Sequence, residues 1–138
     1  MSLIQFSIES SGEKAIIRDF ENRWKQSQNL SKPLEDFANY FEREIQRNFE
    51  SSGSSFGSWT RRKKAYSHPI LRKTRRMQKG FKHTTRSQEV EFTNSVPYFK
   101  FHQLGTRKLP VRKMWGVREM DWQELRQQIQ KYLFEESR

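Results

Sequence analysis

His68, His83 and His102 are the side chains of this sequence best suited to acid–base or metal chemistry. They fall in separate segments, and none has another histidine or a carboxylate three or four positions further on. A metal centre needs convergent ligands, and metal-assisted hydrolysis needs an open coordination position as well. The chain has no cysteine, so thiolate nucleophiles, zinc–thiolate sites and disulfides are excluded. Ser54, Ser55 and Ser58 lie in a Ser/Gly-rich stretch instead of the strained strand-to-helix turn that exposes a nucleophilic serine. No glycine-rich phosphate-loop pattern occurs, and nothing in the spacing of the acids pairs two carboxylates. An enzyme is not expected, and neither is a catalytic group, a metal or a cofactor. His102-Gln103 is expected to hydrogen-bond backbone at the edge of the core.

Charge is the stronger feature. The chain carries a net +11, unevenly spread. Residues 1–50 hold 7 Lys/Arg against 9 Asp/Glu, residues 51–118 hold 17 against 2, and residues 119–138 hold 3 against 5. The clusters Arg61-Arg62-Lys63-Lys64, Arg72-Lys73 and Arg75-Arg76 cannot all be buried, because unpaired buried charge is too costly. A block of that kind keeps a protein soluble as a solvated face, or it meets a polyanion or an acidic protein surface. Trp59, Tyr66 and Phe81 are interleaved with it and could stack on bases, though aromatics are also the core material of this chain.

A second candidate surface is Tyr98–Gly116, "YFKFHQLGTRKLPVRKMWG". Gly105 and Gly116 permit turns that other residues resist, and Pro110 stiffens the loop between them. Arg107, Lys108, Arg112 and Lys113 are expected to project charge, and Met114-Trp115 to offer a large apolar surface. Such a loop suits a protein–protein anchor, since Trp and Arg are enriched at interface hot spots. The competing reading has Trp115 sealing the core beneath the last helix.

The elements that must position these residues follow from periodicity. "LIQFSIES" (3–10) alternates Ile4, Phe6 and Ile8 with polar residues, which predicts a half-buried strand. Ile17, Phe20 and Trp24 lie at helical spacing. A helix over about 32–49 follows, with Ser31 as its expected N-cap, Pro33 in the first turn, and Leu34, Phe37, Ala38, Phe41, Ile45 and Phe49 on one face. The stretch 51–68 reads as a flexible Ser/Gly-rich and basic loop. Pro69 is expected to open a short helix carrying Ile70, Leu71 and Met77. Two strands surround a turn near Ser87, and Tyr98–Leu104 reads as a strand end or a helical turn. A closing helix places Trp122, Leu125, Ile129 and either Tyr132 or Leu133 on its buried face.

The expected fold class is α+β, a small antiparallel or mixed sheet packed against amphipathic helices, in a single domain spanning 1–138. With 33% hydrophobic residues but 11 Phe, 4 Trp and 4 Tyr, the core should consist of few, large side chains. Mean hydropathy is −1.07. No apolar run approaches the ~20 residues of a membrane span, and the N-terminus has no signal-peptide pattern, so a soluble protein made in the cytoplasm with no membrane partner is expected.

The order of short motifs resembles the phage virion morphogenesis family, which includes tail completion proteins of phages and prophages. The likeness rests on Tyr98, His102, Gln103 and Gly105, then Pro110 and Arg112, then an apolar pair before Gly116. Upstream, Trp59 and the Leu71…Thr74 segment are similar to the family's tryptophan and Leu-x-x-Thr-Gly segment. Phe99 stands where a small residue is usual, Arg75 where glycine is, and Met114-Trp115 replaces a Phe-Leu type pair. Arg75 suggests that a turn has become continuous helix. The resemblance implies a non-enzymatic structural protein of the virion neck or tail end. It would assemble in the host cytoplasm, with copies forming a ring that contacts other head, neck or tail proteins. The basic face would meet acidic helices of the next copy, or line a channel and contact DNA non-specifically. A free-standing basic nucleic-acid-binding domain is the alternative. A hydrolase built on His102 is the least expected.

Overall fold

The computed structural model describes residues 11–135, with side chains from Lys14 onward. The strand expected at 3–10 lies outside the described residues. In chain order the elements are α1 (Ser11–Ser27), α2 (Ser31–Glu50), α3 (Arg76–Lys79), β1 (Phe81–Thr85), β2 (Val90–Asn94), α4 (Phe99–Leu104) and α5 (Glu119–Phe134). This is an α+β fold, with a two-stranded antiparallel sheet among the described residues and a helix near the C-terminus.

The α2 helix is the axis of the core. Leu34, Phe37, Ala38, Phe41, Ile45 and Phe49 repeat at helical spacing, and all are buried. Each large apolar side chain withdrawn from water in this way contributes roughly 1.5–3 kcal/mol. The helix begins one residue earlier than expected. Leu30 occupies the cap position, and Asn29 Oδ1 accepts the Ser31 N–H at 3.1 Å. Ser31 is therefore inside the helix, and Asn29 supplies the side-chain acceptor that Ser31 was expected to provide. Past Glu50 the chain turns sharply through Ser52 (φ 54°) and Gly53 (φ 97°). A Cβ on Gly53 would fall 2.2 Å from the Trp59 ring, so the turn requires glycine for both φ and space.

The hairpin lies against α2. Phe81 pairs with Asn94, His83 with Phe92 and Thr85 with Val90, and this half-buried face alternates with the exposed Lys82, Thr84, Glu91 and Thr93. Phe92 meets Phe41 edge-on at 4.9 Å, and Phe81 meets Phe49 at 6.1 Å. The turn of the hairpin is held to the α1–α2 junction, since Ser87 O accepts the Leu30 N–H at 2.7 Å.

Between Trp59 and α3 the chain is irregular. Pro69 opens no helix. Leu71 (φ 61°) and Arg75 (φ 59°) both adopt left-handed backbone, which interrupts helical hydrogen bonding. Arg75 therefore keeps a turn where continuous helix was expected, and α3 is confined to Arg76–Lys79.

α5 packs along α2 with a rotated face. Asp121 is fully buried, Leu125, Ile129, Tyr132 and Leu133 are half-buried, and Trp122, expected inside, is 48% exposed. The rotation follows from a polar centre. Asp121 accepts hydrogen bonds from Arg118 Nη2 (2.8 Å) and Tyr40 Oη (2.9 Å), while Arg118 also reaches Glu44 at 3.2 Å. A carboxylate paired on that scale belongs inside, and its neighbour Trp122 turns outward.

Candidate interaction surface

The Gly105–Arg118 loop is held by backbone and side-chain amides and by two arginines, Arg112 and Arg118. Helix α4 ends at Gly105 (φ 77°), where a Cβ would meet Val111 Cγ2 at 2.8 Å. Thr106 donates its N–H to Leu109 O at 2.9 Å, which closes a turn bearing Arg107 and Lys108 at its tip. Arg112 N–H then donates to His102 O at 2.8 Å. Gln103 fixes the next residues from both ends of its amide. Its Oε1 accepts the Met114 N–H at 2.8 Å, and its Nε2 donates to Trp115 O at 2.9 Å. From α2, the buried Asn48 donates to Lys113 O at 2.9 Å and accepts the N–H groups of Ser55 and Phe56 at 3.2 Å each. One amide thus ties the Ser/Gly-rich turn to the distant loop.

The expected aromatic tip does not form. Met114 is fully buried in the core. Trp115 packs against Phe81 (5.3 Å), Phe92 (6.2 Å) and Phe99 (5.8 Å), so it closes the core over the hairpin and α4. Apolar area of this size is more stable against other rings than in water. Arg112, expected to project its charge, is 7% exposed, and both its Nε and Nη2 donate to Thr60 O at 3.1 and 2.9 Å. Gly116 has ordinary backbone, and a Cβ there would make only normal contact with Phe56 at 3.8 Å. Pro110 is half-buried in the loop.

His102 and Gln103 divide the part expected of them jointly. Gln103 makes the backbone hydrogen bonds, whereas His102 contributes its carbonyl, and its buried Nδ1 has no partner among the described residues. Burial, followed by the nearby Arg112 charge, holds the His102 imidazole below its ordinary pKa and so favours the neutral ring. Tyr98 meets it edge-on at 6.4 Å.

The two basic candidates, far apart in sequence, come together. Trp59 is buried and donates its indole N–H to Lys113 O at 2.7 Å, and Thr60 receives the Arg112 guanidinium beside it. Burial and the neighbouring Arg62 charge lower the Arg112 pKa. Arg62 donates to His68 O at 2.7 Å and stacks over Tyr66 at 5.0 Å. Arg61, Lys63, Lys64, Arg107, Lys108 and Lys113 are exposed, with no ion pair to any described residue. Leu71 is half-buried against the core, and Thr74 Oγ1 accepts the Arg76 N–H at a long 3.5 Å. Those two support the turn before α3 and lie apart from the loop in sequence.

Sequence reasoning missed a second polar cluster. His83 lies between two carboxylates of α2, with Nδ1 2.6 Å from Glu42 and Nε2 2.9 Å from Glu35. Thr85 also donates to Glu35 at 2.5 Å. With a carboxylate oxygen at each ring nitrogen, the site favours the protonated imidazole. The hydrogen bond to Glu42, joined by that to Glu35, raises the His83 pKa against the opposing effect of burial. Hydrogen bonds from Thr85 and His83 hold Glu35 below the ordinary carboxylate range. The seven-residue spacing of Glu35 and Glu42 puts both on one helical face, which was visible in the sequence, but only the hairpin's position brings His83 between them.

Comparison with family models, with curated proteins and with solved structures gave no match to this chain.

Proposed function

We propose that this chain is a structural protein of phage or prophage assembly, acting in tail completion or in joining head to tail at the neck. Its copies associate into a ring that contacts other head, neck or tail proteins, within a particle built in the host cytoplasm. The observation that carries the assembly reading is the state of α1. Every residue from Lys14 to Asn22 is exposed, yet Ile16, Ile17, Phe20 and Trp24 lie 71%, 49%, 72% and 50% exposed along it. An apolar helix face uncovered by any described residue marks a surface for another chain. A ring supplies such a chain by repeating one head-to-tail contact.

The phage assignment rests on the resemblance, and the geometry of its motif residues supports it. Trp59, Gln103 and Gly105 each brace the same loop, and Arg75 keeps left-handed backbone at the position where the family has glycine.

The test is the mass of the full-length protein in solution by size exclusion with light scattering, followed by electron microscopy. A defined multiple of 16.8 kDa and ring-shaped particles are expected. Ile16→Ser with Phe20→Ser should give a folded monomer. A wild-type protein that stays monomeric at its highest soluble concentration rules out the ring and favours the free-standing nucleic-acid-binding alternative.

A further inference from the structure

Carboxylates and cations are used differently in this molecule. On α2, Glu35 and Glu42 bind His83, Glu44 binds Arg47 and Arg118, and Glu50 binds Arg72, leaving Asp36 without a described partner. On α5, Glu119 meets Arg126, Asp121 meets Arg118, and Glu124 accepts from Gln128. Of the acids whose side chains are described on α1, α2 and α5, only Glu21, Asp36 and Glu124 lack a described cationic partner, so a second copy of this chain offers few free carboxylates from those helices. The cations of the two joined segments are in the opposite condition. Arg61, Lys63, Lys64, Arg107, Lys108 and Lys113 are exposed and without a described acidic partner.

We infer that the surface built from residues 60–64 and 107–113 binds the phosphate backbone of nucleic acid. Its scaffold is fixed before any ligand arrives. Thr60 O holds the Arg112 guanidinium, Lys113 O accepts from both Trp59 and Asn48, and the turn at Thr106–Leu109 is closed by its own backbone. The lysines and arginines above that scaffold present point charges with no acid among them, the arrangement that displaces counterions from a polyphosphate without reading sequence. Protein–protein interfaces are depleted in lysine, whereas nucleic-acid interfaces are strongly positive and polar, so this composition favours nucleic acid over an acidic protein. The exposed apolar residues of α1 lie in a different segment of the chain from residues 60–64 and 107–113. This inference does not depend on the ring.

The experiment is fluorescence anisotropy of a short mixed-sequence DNA duplex titrated with full-length protein at several salt concentrations. With about four phosphate contacts, affinity should fall on the order of 10²-fold between roughly 50 and 200 mM salt. The triple variant Lys63→Gln, Lys64→Gln, Lys113→Gln changes exposed residues only, and circular dichroism checks its fold. Its log–log salt slope should be shallower by about one per lysine removed. Poly-glutamate, matched in charge, tests the acidic-protein ligand. Absence of duplex binding at low salt, an unchanged slope in the triple variant, or tighter binding of poly-glutamate than of duplex would each overturn the inference. Light scattering on the same samples separates the two claims, since a variant that loses DNA but keeps the wild-type mass fails only in polyanion binding.

Discussion

α1 and α2 carry similar apolar spacing and meet opposite fates. In α2 the aromatic face forms the core, and the flanks are bound as well, to Asp121 through Tyr40, to Arg118 through Glu44, and to His83 through Glu35 and Glu42. In α1 no described residue covers the apolar face as the core covers that of α2, and Ile16 and Phe20 stay 71% and 72% exposed. Its described attachment to α5 comes late in the helix, where Arg23 donates to Leu133 O at 2.6 Å and lies over the Phe134 ring. Amphipathic spacing thus states that a face is built for burial without stating what buries it.

Substitutions along the two helices test that contrast. Phe49→Ala opens a cavity against Trp59 and Phe81 and should cost about 3–5 kcal/mol in denaturant unfolding. A loss below about 1 kcal/mol would mean that α2 is not the packing axis. Asp121→Ala leaves Arg118 half-paired and Tyr40 without its acceptor, with an expected loss of about 2–4 kcal/mol by the same measurement. In the wild type, burial and then the hydrogen bond to Asp121 push the Tyr40 pKa up to about 12, so a spectrophotometric titration of the tyrosines should show one phenol ionising earlier in Asp121→Ala.

His83→Gln should cost roughly 1–2 kcal/mol near pH 6, a modest figure because Glu35 is half exposed. Its pH dependence has a definite sign. The folded-state pKa of His83 is raised, so its contribution is complete below the unfolded value of about 6.5 and is lost as pH climbs through the folded value. The difference in stability between wild type and His83→Gln should therefore shrink on going alkaline, and a constant difference from pH 6 to 9 would remove the proposed imidazolium clamp. At the small end, Phe20→Ser should change unfolding free energy by no more than about 0.5 kcal/mol, because no described residue covers that ring. A much larger loss measured on the monomer would show that α1 is packed within its own chain.

Much of this architecture was legible in the sequence. The buried face of α2 and both strands of the hairpin follow from periods of 3.6 and 2, which depend on neighbours along the chain. The loop was harder. Arg112, Met114 and Trp115 look like surface chemistry in sequence, because charge and aromatic area are properties of single residues. Burial of Arg112 depends on a carbonyl 52 positions away, and that of Trp115 on rings from the hairpin and α4. The outward turn of Trp122 likewise follows from Asp121 meeting Tyr40, which lies 81 positions away.

The amino-acid sequence by itself determined the three long helices α1, α2 and α5 and the hairpin, the aromatic composition of the core, and the excess of cations between residues 51 and 118. It did so because hydrophobic periodicity and net charge are local sums. Tertiary structure alone decided which charges are engaged and which are free. Ion pairs and buried amides are made between segments dozens of residues apart, so only folding could place His83 between two glutamates and leave Lys63, Lys64 and Lys113 without an acid among the described residues.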